Sequence, residues 1–165
     1  MQYNSLATKL ETDYRLWRRN RETYIQQNIE EIDLSKMSGR IKYYRVLRGF
    51  TRREMGAKLG YVLPDSYTRS FENPQKEPGD LEKVTKICKI LQVSKEEIFD
   101  DYLNFIDSDY QTELILFQER LGKSNSEMDK LFGKTKGQYK NWITGKKVPN
   151  RKSVEHIFAV MKKSQ

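Results

Sequence analysis

The chain is poor in side chains that do covalent or metal chemistry. His156 is its only histidine and Cys88 its only cysteine. A Ser-His-Asp triad therefore has little to draw on, and a zinc site of the usual Cys/His type cannot be assembled. A lone cysteine also excludes an internal disulfide framework and fits a reducing compartment. Gly133-Lys134-Thr135 has the ending of a phosphate-binding loop. That loop requires glycine at position 128, where Met128 stands, and it should follow a strand rather than a helix. No pair of carboxylates stands out among the many acids. The expectation is a protein without catalytic activity, cofactor or metal.

What the chain has in quantity is hydrogen-bonding cations. Lys and Arg number 31 against 23 Asp and Glu, for a net charge of +8. The excess is uneven: residues 1–36 are neutral, residues 37–106 carry +3 and residues 107–165 carry +5. It is also concentrated. Lys36 to Arg53 holds seven basic residues and no acid, and Lys130 to Val154 holds eight and no acid. Two acid-free basic windows are the electrostatic footprint expected for a nucleic-acid partner. No run of eighteen apolar residues exists and the N-terminus lacks a signal-peptide core, so the expectation is a cytoplasmic protein without a membrane partner.

A cationic surface must be held by something apolar, and self-comparison shows what holds it. TRREMGAKLG (51–60) and SNSEMDKLFG (124–133) repeat at a fixed offset. Each opens with a hydroxyl residue and, three positions on, a glutamate: Thr51 with Glu54, Ser124 with Glu127. That is a capping box at a helix start. Each closes on glycine, which tolerates the left-handed backbone of a helix end. SYTRSFENPQKEP (66–78) then parallels QYKNWITGKKVP (138–149), each a short helix with an aromatic anchor, Phe71 or Trp142, followed by basic residues and proline. A further amphipathic helix follows each, with apolar stripes of Leu81, Val84, Ile87, Cys88 and Leu91 in one copy and Val154, Ile157, Phe158 and Met161 in the other. Another precedes each, through Ile41, Tyr44 and Leu47, or Leu114, Phe117 and Leu121. The stretch 93–106 predicts a fifth helix for the first copy, capped by Ser94 and Glu97. The second copy lacks an equivalent before Gln165. A capped helix, a glycine turn and a second short helix make a helix-turn-helix. Trp142, with Tyr139 one turn earlier, pins the second helix while lysines occupy its other face.

These residues resemble the lambda-repressor-like, or xenobiotic-response-element, helix-turn-helix family. FTRREMGAKLG and SFENPQKEPGDLEKVTKICKILQVSKEEIF carry the likeness in the first copy, SEMDKLFGKTKGQYKNWITGKKVP in the second. Together the copies cover roughly residues 38–163. The resemblance implies an all-α chain of two tandem lambda-repressor-like helix-turn-helix domains preceded by an N-terminal amphipathic helix. The boundaries read as 1–36 for that helix or arm, 37–106 for the first domain and 107–165 for a C-terminally short second domain. It departs from the family pattern in several places. The first copy has two extra residues in its turn, with Pro64 opening the recognition helix, and Thr68 stands where an apolar residue is usual. In the second copy Asp129 replaces the small residue for which Gly56 serves in the first, leading us to expect a looser second core.

By position, the resemblance implies base-reading roles for Thr135, Lys136, Gln138, Lys140 and Asn141 in the second copy. Gln and Asn pair bidentately with adenine and Lys donates to guanine. Lys146, Lys147, Arg151, Lys152 and Asn125 would hold phosphates. In the first copy the matching face offers Ser66, Arg69 and Ser70 beside Asp65, with Arg45, Arg48, Arg52 and Arg53 as phosphate contacts. That copy looks better equipped to hold the backbone than to read bases. The implied function is sequence-specific binding of double-stranded DNA by a transcriptional regulator, a repressor of a bacterial, phage or mobile-element operon. Two alternatives stay open: an antitoxin or adaptor that holds a protein, and an accessory DNA-binding factor in conjugation, recombination or replication. The chain has no room for a separate ligand-sensing domain, so no small-molecule effector is implied. Residues 1–36 lie outside the resemblance. Leu6, Leu10, Tyr14, Trp17, Tyr24, Ile25 and Ile32 fall mostly on one helical stripe, fitting a docked helix, a self-association helix or an arm for a protein partner.

Overall fold

The computed structural model describes residues 32–164 together with Glu22, Thr23, Ile25, Gln26 and Ile29. The expected stripe through Leu6, Leu10, Tyr14, Trp17 and Tyr24 lies outside the described residues. Among the described residues there are ten further helices and no strand: α1 (Met37–Leu47), α2 (Arg52–Lys58), α3 (Pro64–Phe71), α4 (Leu81–Leu91), α5 (Lys95–Ile98), α6 (Asp101–Asp107), α7 (Tyr110–Leu121), α8 (Asn125–Leu131), α9 (Gln138–Ile143) and α10 (Arg151–Lys163). They form two compact units. The first takes the described residues up to Pro78 with Thr85–Ile98, the second Gly79–Val84 with the described residues from Phe99 onward.

In the first unit α1 begins without a side-chain cap from its own N-cap residue, Lys36. The Ser38 amide donates instead to the distant Glu77 carboxylate at 3.0 Å, which satisfies one orphan donor of the first turn. Thr51 and Glu54 form the expected reciprocal capping box, with bonds of 3.1 and 2.7 Å. Met37, Ile41, Val46, Met55, Leu59, Phe71, Ile87, Cys88, Leu91 and Ile98 are buried. Leu47, placed on the buried face of α1 by its spacing, is 43% exposed; Val46 is buried instead. Thr68 is fully buried and donates its hydroxyl to the Arg52 carbonyl at 2.8 Å. A polar residue thus occupies an apolar station at no unsatisfied cost.

In the second unit the core is built from Phe105, Tyr110, Leu114, Phe117, Met128, Phe132, Tyr139, Trp142, Val154 and Ile157. Asp100, Asp109, Ser124 and Asn150 each accept a bond from a first-turn amide of α6, α7, α8 and α10. Those caps satisfy donors that the helices leave without partners.

Two expectations are corrected. The single helix over 93–106 is broken: α5 ends at Ile98, and Asp100 starts α6 by accepting from the Leu103 amide at 3.0 Å. Helix α6 packs in the second unit, where Phe105 is part of the core. The second core is not looser either. Met128, Tyr139 and Trp142 are at most 1% exposed, and the reason lies with Asp129, described next.

Candidate nucleic-acid interface

Helix α9 is short and starts where its own sequence offers no capping side chain. Gly137, its N-cap residue, lies at φ +84°, a left-handed conformation suited to glycine. The missing cap comes from α8. Asp129 is 3% exposed, and its two carboxylate oxygens accept from the Gly137 and Tyr139 amides, both at 2.7 Å. In the first unit Gly56 holds the equivalent place. A Cβ there would collide with the Pro64 carbonyl at the start of α3. One unit brings backbones together through glycine; the other spans the gap with a carboxylate.

Tyr139 and Trp142 lie three residues apart and face inward together. The Tyr139 hydroxyl donates to the Leu114 carbonyl at 2.8 Å, and burial pushes its pKa up to about 12. Phe132 packs near both rings, with centroids 6.0 Å from Tyr139 and 6.3 Å from Trp142. This leaves Lys140 fully outside, with Gln138 and Asn141 partly buried beside it. Thr135 and Lys136 are exposed in the turn ahead of α9, and the Thr135 hydroxyl lies 3.4 Å from Gln138 Oε1. Lys146 and Lys147 are exposed in the turn behind it, a turn closed by the Lys147 amide on the Asn141 carbonyl at 3.1 Å. Lys152 is exposed on α10, and Asn125 is exposed on α8 with its Oδ1 accepting from Gln118 at 2.8 Å. Lys136, Lys140, Lys146, Lys147 and Lys152 enter no ion pair among the described residues. Ammonium groups in that state keep their full charge for a partner.

Arg151 does not belong with them. Its guanidinium pairs with the Asp100 carboxylate and lies 4.6 Å from the centre of the Tyr102 ring. It ties α10 to the start of α6 instead of standing ready for a phosphate.

The first unit engages most of its arginines within itself, though only Arg45 is buried. Arg45, expected at a phosphate, is 4% exposed. It makes a two-pronged contact with Glu72 and donates to the Phe50 carbonyl at 2.7 Å. Glu72 also accepts from Arg52 Nε at 3.0 Å. Arg48 donates to the Leu91 and Gln92 carbonyls at 2.7 and 3.0 Å, closing the end of α4. Arg69 pairs with Asp65 one turn away at 2.9 Å, and the Ser70 hydroxyl turns back to the Tyr67 carbonyl at 2.6 Å. Ser66 and Arg53 remain exposed. Glu72 and the Phe50 carbonyl take the Arg45 guanidinium, whereas Arg48 and Arg52 commit only part of theirs, to helix-end carbonyls and to Glu72.

Sequence reasoning missed Glu72, Asp129 and Asp100 as organisers. No protein-family model matches the sequence, and comparisons with curated proteins and with solved structures find no match either.

Proposed function

We propose that the protein binds double-stranded DNA in a sequence-specific way through two tandem helix-turn-helix units and regulates transcription. The observation that carries this reading is the outer face of α9. Lys140 with Lys136, Gln138 and Asn141 combines donors and acceptors able to read base edges, on a helix fixed by Trp142 and Asp129. Lys146, Lys147 and Lys152 flank it as phosphate contacts. The second unit is the reader in this proposal, and the engagement of Arg45, Arg52 and Arg69 by acids of the first unit supports an asymmetric site rather than a perfect inverted repeat.

Salt dependence tests it. If Lys146, Lys147 and Lys152 each neutralise one phosphate, the log–log slope of affinity against salt is about −3, at roughly −0.9 per phosphate. Titration of the full chain on its preferred duplex across ionic strength measures that slope. A value no steeper than about −2 leaves room for only a couple of neutralised phosphates. That result sinks the proposal.

A further inference from the structure

Helix α3 reaches about one turn further ahead of its aromatic anchor, from Pro64 to Phe71, than α9 does, from Gln138 to Trp142. Its tip is apolar. Val62 is 94% exposed, Leu63 64% and Tyr67 45%. Exposed neighbouring aliphatic side chains of this kind mark contact sites when the backbone keeps them from collapsing inward. Here it does so at several points. Gly60 turns the chain at φ +85° and Pro64 occupies the first turn of α3. The Gly56–Pro64 approach leaves no space for a side chain, and Tyr61 stacks on Tyr67 at 4.0 Å and 7°.

The exposed polar side chains beside the tip that no acid or carbonyl engages are few, Ser66 and Arg53 among them. Asp65 and Arg69 neutralise one another, and Arg45 and Arg52 are engaged by Glu72. Arg53, exposed, lines the same open cleft as Val62 and Leu63. An aliphatic reader beside a cation fits a polyanion that displays methyl groups. In the major groove that group is the C5 methyl of thymine, the one apolar mark on a base edge. A protein partner fits less well, because a stable protein interface covers about 800 Å² per side and this tip presents only Val62, Leu63 and Tyr67.

We infer that Val62 and Leu63 are specificity residues that read thymine methyl groups, so that the first unit contributes base preference without hydrogen bonds. The inference rests on the DNA-binding reading above, and its test separates the two. The full chain is bound to its preferred duplex with thymines replaced one at a time by uracil, which removes only the methyl. Removing a methyl that the tip covers weakens binding about fourfold, from roughly 0.8 kcal/mol per buried carbon. The expected result is such a weakening at one or two thymines outside the footprint of α9. Val62→Ser with Leu63→Ser, both at exposed positions and with serine able to cap α3 so that the fold melts no lower than the parent, then binds thymine and uracil duplexes alike. Lys140→Ala with Asn141→Ala keeps the thymine preference. Equal binding of both duplexes by the parent chain overturns the inference while DNA binding stands, and leaves the tip to a protein partner. Thymine preference that survives in the Val62/Leu63 variant overturns it as well. A parent chain that binds no duplex overturns the inference and the underlying reading together.

Discussion

At the scale of single residues, Glu72 carries the largest stake. Its side chain is 1% exposed and takes both prongs of Arg45, 4% exposed, while Arg52 shares its Oε2. Neutralising it leaves a buried guanidinium without its partner, and such a change costs about 3–5 kcal/mol. Glu72→Gln should show that cost in chemical denaturation. Arg69→Ala, which removes an exposed pair one helical turn apart, should change stability by less than about 0.5 kcal/mol. Cys88 supplies an independent readout of the same unit. It is buried and burial pushes its thiol up to about 11, so the reactive thiolate is scarce near neutral pH. Labelling of Cys88 by a thiol reagent at about pH 8 should proceed only through opening of the first unit. It should accelerate in Glu72→Gln by about tenfold for every 1.4 kcal/mol of stability lost. Rapid labelling of the parent chain would show that Cys88 is not in a core.

Among the elements, α9 is set by two kinds of interaction, one local and one remote. Trp142→Ala should destabilise the second unit by about 3–5 kcal/mol through the cavity it leaves. Asp129→Ala should cost about 1–2 kcal/mol by removing the cap. Asp129→Asn, which keeps one acceptor oxygen, should cost less; equal melting of Asp129→Ala and the parent would contradict the capping role. The local part was legible in the chain. Thr51 with Glu54, Ser124 with Glu127, the start of α3 at Pro64 and the inward pair Tyr139 and Trp142 all follow from spacings of a few residues. The remote part was not. Arg45 reads as surface until Glu72 is brought to it from 27 residues away. Asp129 reads as a flaw in a helix until the amides of Gly137 and Tyr139 come within reach. The break between α5 and α6 depends on Phe105 belonging to the second core, although the 93–106 stretch reads as one amphipathic helix.

For the whole molecule, the net charge of +8 describes two unlike units. One balances its arginines against buried or neighbouring acids, and the other leaves five lysines open around α9. Charge of the second sort raises affinity for any duplex, so affinity alone does not establish that bases are read. Discrimination does. Selecting bound sequences from a random duplex pool, with the parent chain and with Lys140→Ala plus Asn141→Ala, separates the two. Both side chains lie on the outer face of α9, so the double variant should melt like the parent. Discrimination should fall by about 1–3 kcal/mol for every bidentate base pairing that the variant can no longer make. The parent should enrich a defined, asymmetric sequence, and the variant should still bind duplex DNA but lose preference at adjacent positions of that sequence. A parent that enriches nothing, or a variant that enriches the same sequence as strongly, would contradict it.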